Sequence, residues 1–147
     1  MVEIIKANET HLLQLAKLFN AYRLFYNQVS DIKAATIFLE ERILKNESVI
    51  YAALWDNNFV GFVQLYPIFS SVGLSKALLL NDLYVHENAR GKGVATALLQ
   101  SAKQYGLDIN AKWLLLQTSV DNFSAQKLYI KNNWKKVNDI FYELPLR

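Results

Sequence analysis

Polar and apolar positions follow different rhythms along this chain, and each rhythm predicts an element. Val2, Ile4 and Ile5 give the apolar side of a short strand, Val2 to Lys6. From about Glu9 to Asn27 the apolar residues Leu12, Leu15, Leu18, Phe19, Tyr22, Phe25, Tyr26 and Val29 recur every three to four positions. That spacing predicts a long amphipathic helix, with Asn8 or Thr10 as its cap and Phe25 on the core-facing stripe. Ser30-Asp31 opens a second helix, about Ile32 to Leu44, with Ala35, Phe38, Leu39 and Ile43 on one face.

The rhythm then changes to strands rich in β-branched and aromatic residues, Ser48 to Trp55 and Phe59 to Tyr66, joined by Asp56-Asn57-Asn58 as a hairpin. Pro67 to Ser75 reads as a loop and Lys76 to Val85 as a third strand. A helix from Arg90 to Gly106 follows, with Val94, Ala95, Leu98, Leu99 and Ala102 inward and Gly106 and Asn110 at its exit. Trp113 to Thr118 reads as a buried strand. Asp121 or Asn122 caps a helix running to about Asn132, and Trp134 to Val137 and Ile140 to Leu144 read as closing strands. A helix between two strands is long enough to cross over and make their pairing parallel. The fold class expected is therefore α/β: one domain, residues 1–147, with a mixed sheet that is antiparallel early and parallel near the middle.

Composition narrows the function. The chain has 52% hydrophobic and 20% charged residues, the balance of a globular protein. It contains no cysteine, which excludes disulfides, zinc thiolate sites and a cysteine acyl-enzyme. His11 and His86 have no partners at ligand spacing, so no metal is expected. No run approaches the ~20 apolar residues of a membrane span. Residues 2–8 lack the basic start and apolar core of a signal peptide, so no membrane partner and a cytoplasmic location are expected. The net charge of +3 comes from dispersed Lys and Arg, which suits an anionic small molecule better than nucleic acid.

The stretch from Leu78 to Leu99 concentrates the chemistry. An apolar strand ends at Val85, passes a polar turn, and reopens at Arg90-Gly91-Lys92-Gly93 into a helix. The first turn of a helix carries main-chain N–H groups without carbonyl partners, and the helix dipole adds partial positive charge. Gly91 and Gly93 keep side chains out of the way, and Arg90 and Lys92 add full charges. Residues Gly91, Lys92, Gly93, Val94 and Ala95 thus form a candidate pyrophosphate site. The sequence has no G-x-x-x-x-G-K-[ST] segment, which disfavours a nucleotide hydrolase.

Arg90, Gly93 and Ala95 match Q/R-x-x-G-x-G/A after a strand, and Asn122, Ala125, Leu128 and Tyr129 match N-x-x-A-x-x-L-Y on the next helix. On these two motifs the chain resembles the GNAT superfamily of N-acetyltransferases along nearly its whole length, and within it most nearly the polyamine and small-amine enzymes. The resemblance implies a mixed sheet with splayed middle strands, about four helices, acetyl-CoA as cosubstrate and a small-molecule primary amine as acceptor. Main chain of Leu83, Tyr84 and Val85 would lie along the pantetheine arm, with a bulge near Asn81 to Leu83 opening the sheet, and Asn122 would bond the arm's amides.

With no cysteine, direct attack in a ternary complex is the implied route. Tyr129 would act as acid toward sulfur, the N–H near Leu83 would stabilise the oxyanion, and Asp82 would serve as base, directly or through water. Tyr84 would help to position the amine, and Tyr22, Arg23, Tyr26, Tyr66 and Asn81 would form the acceptor wall. The sequence departs from the family at Asn81, where small-amine relatives often carry a carboxylate, and at Asn132-Asn133-Trp134, where Gly and Phe are usual. Simpler roles stand beside these: Asp82 as a structural acceptor, Asn122 as an N-cap, Tyr129 as a packing residue. A homodimer is expected by analogy with small members. The alternatives for function are a non-catalytic acyl-CoA-binding module and a protein or peptide N-acetyltransferase.

Overall fold

In the computed structural model, which describes residues 1–147, most elements follow the local signals closely at their starts; the helix predicted from Arg90 begins only at Val94, because Gly91 and Gly93 hold left-handed φ and keep the preceding turn out of the helix. After strand β1 (Val2–Lys6), Asn8 accepts from Thr10 N at 2.9 Å while its own N–H donates to His11 Nδ1 at 3.1 Å. This reciprocal cap starts a single 3-10 turn, Glu9–His11, which runs into helix α1 (Leu12–Phe25). Asp31 Oδ1 accepts from Ala34 N at 2.9 Å and starts helix α2 (Ile32–Leu44). Asn20, buried on α1, bonds both Ser30 Oγ and Asp31 N, so the start of α2 is tied to the middle of α1.

Strands β2 (Val49–Trp55) and β3 (Asn58–Ser70) meet at Asp56 and Asn57, whose φ angles of 47° and 63° make the left-handed two-residue turn that matches strand twist. β3 continues through Pro67 to Ser70, where a loop is predicted, and the turn before β4 (Ser75–Val85) is confined to residues 71–74. Pro67 pairs with Leu78, whose N–H donates away from β3 to Trp113 O at 3.1 Å. The pairing therefore makes no demand on the N–H that Pro67 lacks. β2, whose last pair with β3 is Val49 with Leu65, has ended on its other side.

The sheet order is β1-β2-β3-β4-β5, antiparallel until β5 (Leu114–Leu115), which pairs parallel to β4. Helix α3 (Val94–Asp108) makes that crossover and buries Val94, Leu98, Leu99 and Ala102. On the opposite face, α1 and α2 pack Leu15, Ala16, Phe19 and Leu39 against Ile50, Ala52 and Phe62. Gly106 is not at the helix exit but inside α3, where a Cβ would stand 2.6 Å from Leu114 Cδ1. The exit is at Asn110, φ 55°, with Ala111 N closing back on Gly106 O at 2.8 Å.

The chain falls into two compact units, Met1–Gln117 and Thr118–Arg147. In the second, Asn122 Oδ1 accepts from Ala125 N at 3.2 Å and caps helix α4 (Phe123–Lys131). Asn133, φ 66°, ends it, with Trp134 N bonded to Tyr129 O. Two expectations change here. The predicted Trp113 to Thr118 strand shrinks to Leu114–Leu115, and neither Trp134 to Val137 nor Ile140 to Leu144 forms a strand. Their apolar residues Val137, Ile140, Phe141 and Leu144 are exposed. An apolar run becomes a strand only where a neighbour accepts and donates its main-chain hydrogen bonds.

Candidate active site

The turn between β4 and α3 holds its main chain in an unusual shape. Gly91 and Gly93 have φ of 74° and 80°, a region costly for residues with a Cβ, and a Cβ on either would meet nothing within 4 Å. Gly93 is the N-cap of α3 and no side chain caps the helix. None of the N–H groups of Gly91, Lys92, Gly93, Val94 and Ala95 donates to an acceptor of the protein. Five donors without a partner in the protein, gathered at a helix start, make a cradle for an anion.

The two cations of this turn also have partners within the protein. Arg90 Nε donates to Val85 O at 3.0 Å and its guanidinium lies 5.7 Å from the centre of the Phe25 ring. Lys92 Nζ sits 5.3 Å from the Trp55 ring centre. Both brace the turn against aromatic faces, and the partial charge at the anion site comes from the main chain. Phe25, predicted as core, is 57% exposed and carries this contact instead.

Beside the turn, the sheet opens. β4 pairs with β5 only at Leu78 and Leu79, so its edge from Leu80 onward has no strand on that side. Gln64 pairs with Asp82 and Leu65 with Leu80, which leaves Asn81 as the extra residue of a bulge, within the segment predicted to carry one. His86 N donates to Val60 O, so alternation along β4 turns the main-chain groups of Tyr84 toward β3 and those of Leu83 and Val85 away from it. Val85 O, expected to be free, is taken by Arg90, so Leu83 presents the open pair of main-chain groups.

The face of β4 toward α1 carries the titratable residues. Asp82 is 4% exposed and accepts from Gln64 Nε2 at 2.6 Å and from Asn81 Nδ2 at 3.0 Å. Tyr22 from α1 donates to it as well. Burial pushes the Asp82 carboxyl above its ordinary value, and the hydrogen bonds from Gln64, Tyr22 and Asn81 pull it back down. Burial, with the Asp82 charge and hydrogen bond behind it, raises the Tyr22 phenol. Tyr66 is pushed up to about 12, by burial first and then by the Asp82 charge, against the pull of Arg42. Tyr84 shares this face, with its ring 6.3 Å from Tyr22, and Tyr26 packs edge-on against Tyr22 at 5.0 Å.

The structure thus brings Asp82, Tyr22, Tyr26, Tyr84 and Asn81 together and sets Tyr66 within electrostatic reach of Asp82. Arg23 serves elsewhere: its Nη1 donates to Val29 O at 3.2 Å and closes the α1–α2 turn. Asn122 and Tyr129 lie on α4 in the second unit, Asn122 as the cap and Tyr129 half-buried with its ring 6.2 Å from Trp134. Gln64 was not singled out by sequence reasoning. Its signal was there, as the lone polar residue inside the strand run Phe59 to Tyr66.

The model of the acetyltransferase (GNAT) family matches residues 14–133. This chain belongs to the GNAT family. It is 43% identical over 135 residues to the uncharacterized N-acetyltransferase YhfO of Bacillus subtilis, covering 92% of this chain and 91% of that protein. A crystal structure of a probable acetyltransferase superposes with a TM-score of 0.94 at 43% identity, covering 99% and 98% of the two chains. The fold is also that of an aminoglycoside N-acetyltransferase, AAC(6')-Iy, solved in complex with CoA (TM-score 0.83, 18% identity, 100% and 96% covered).

As a GNAT member the chain is an acetyl-CoA-dependent acetyltransferase, and its own geometry fits that cosubstrate at two points. The unpartnered donors of residues 91–95 suit a diphosphate, and the unpaired β4 edge at Leu83 suits an extended amide-bearing arm. No group of His, Asp and Glu in the structure is arranged to hold a metal ion, and no helix is long and apolar enough to cross a membrane.

Proposed function

We propose that this enzyme transfers acetyl from acetyl-CoA to the primary amine of a small molecule, by direct attack with both substrates bound. The observation that carries the acceptor side of this reading is Asp82, a carboxyl buried beside Tyr22 on the strand whose Leu83 faces the open edge. A free primary amine with pKa ~10.4 is unprotonated in roughly one molecule in two thousand at neutral pH. The site must therefore attract a cation and then remove its proton, and a buried acid ringed by phenols is suited to both tasks.

Bound acetyl-CoA supplies an acetyl group activated as a thioester. The N–H groups of Gly91 to Ala95 hold the diphosphate, with Arg90 and Lys92 bracing the turn. The Leu83 N–H faces the carbonyl oxygen, where negative charge grows during attack. Asp82 takes the amine's proton, through a water or the Tyr22 hydroxyl, and Tyr26, Tyr66, Tyr84 and Asn81 line the acceptor side. On the motif match, Asn122 bonds the arm and Tyr129 protonates the departing sulfur with its hydroxyl proton.

Thiol release measured against polyamines, lysine analogues, aminoglycosides and peptide N-termini tests this reading. Turnover of at least one small amine, with peptides poorer, is the expected result. Turnover of peptide N-termini alone would replace the small-molecule acceptor with a protein one.

A further inference from the structure

Behind Asp82 lies a second layer of polar side chains that the reaction as described does not use. Gln64 sits opposite Asp82 in the β3–β4 register and is fully buried, 0% exposed. Its Nε2 donates to Asp82 Oδ2 at 2.6 Å, and its Oε1 accepts from Ser48 Oγ at 2.9 Å, just before β2 begins. A buried amide has two ways round, and they differ sharply in what they show a neighbouring carboxyl. With Nε2 forward, Gln64 donates and favours a carboxylate. With Oε1 forward, it presents a lone pair and favours the protonated acid. Ser48 favours the first: with the amide turned, its Oγ would accept from Nε2 instead, its hydroxyl proton would lose Oε1, the acceptor it has in the structure, and Nε2 would face away from Asp82.

We propose that Gln64, clamped by Ser48, is the positioning residue that fixes the orientation and negative charge of Asp82. The groups that face Asp82 are the Tyr22 hydroxyl from α1, the Gln64 amide and Tyr66 phenol from β3, and the Asn81 amide beside it on β4. From α2, Arg42 acts on Tyr66. Gln64, Tyr22 and Asn81 are all donors to the carboxylate, and they offset part of the cost of burying it. Of the three, Gln64 alone has its donor direction set by a further hydrogen bond that the structure records. The catalytic consequence rests on the assignment of Asp82 as base; the clamp itself does not.

The test follows the carboxyl carbon of Asp82 by NMR in protein labelled at aspartate, with Asp82→Asn identifying the resonance. Ser48→Ala frees the amide to turn, and Gln64→Glu sets two carboxyls to share a proton. Each should raise the titration midpoint of Asp82, by about a unit or more in Gln64→Glu. The acid limb of kcat/KM should move upward with it, while activity at high pH is retained in Ser48→Ala. If Gln64→Glu does not fold, as a melting curve will show, Ser48→Ala carries the test alone. A midpoint that stays put in the folded variants overturns the clamp. A midpoint that moves while the acid limb does not upholds the clamp and removes Asp82 from the role of base.

Discussion

Gly93→Ala isolates the contribution of the phosphate turn. Gly93 holds φ 80° and ψ 6° at the start of α3, and a Cβ there would touch nothing within 4 Å. The cost in the free protein is thus the backbone term alone, about 1–2 kcal/mol for an alanine in the left-handed region. For a chain of this size that lowers Tm by roughly 2–8 °C if the turn keeps its shape. If the turn relaxes, CoA binding must restore the strained form, which weakens Kd by about 5- to 30-fold. In either case the new methyl adds bulk in open space at the start of α3, on the residue whose own N–H would help to hold the diphosphate. Calorimetric titration with CoA, set beside competition by pantetheine, which lacks the diphosphate, separates the effects. CoA should weaken at least fivefold and pantetheine should be unaffected. A folded variant that binds CoA as tightly as the wild type would refute the cradle.

Three further outcomes are expected. Tyr129→Phe, if the phenol protonates sulfur, should lower kcat by about a hundredfold or more with little change in the KM for acetyl-CoA; an unchanged kcat in the thiol-release assay removes it as the acid. The acid limb of kcat/KM should lie above the ordinary carboxylate range. The reason is that burial raises Asp82, the carboxylate is the active form, and a higher pKa means that form is lost at a higher pH as the solution is acidified. Asp82→Asn should abolish that limb, and a wild-type limb in the variant argues against the assignment. Gly61→Ala should destabilise the protein by about 1–3 kcal/mol in denaturant melts, because its Cβ would press to 2.8 Å from the main-chain oxygen of Tyr84, which cannot swing aside as the end of a side chain can.

Features that depend on near neighbours in the chain could be read without coordinates. Asn8, Asp31 and Asn122 cap helices because a short acceptor side chain reaches N–H groups two or three residues on. Asp56 and Asn57 turn the hairpin because they tolerate positive φ. Gly91 and Gly93 stood out because glycine enters a left-handed turn at little cost, and both hold positive φ there. Features that depend on distant residues were misread or missed. Phe25 fits an apolar stripe by spacing, yet it lies at the open end of α1, where Arg90 covers it. Gly106 looked like a helix stop and is instead a place where α3 packs so close to Leu114 that a Cβ would not fit.

By itself, then, the order of residues determined the helices, the caps, the turns and a glycine-bearing helix start, since each is settled within a few residues by sterics and local hydrogen bonding. Tertiary structure decided where β3 ends, which apolar runs become strands, which way Arg90 and Lys92 point, and that Gln64 and Ser48 stand behind Asp82. Those outcomes turn on partners brought from 16 and 18 positions away in the Gln64 network. A hydrogen bond between such residues exists only once the sheet has set their register, and nothing in the spacing of either residue along the chain records it.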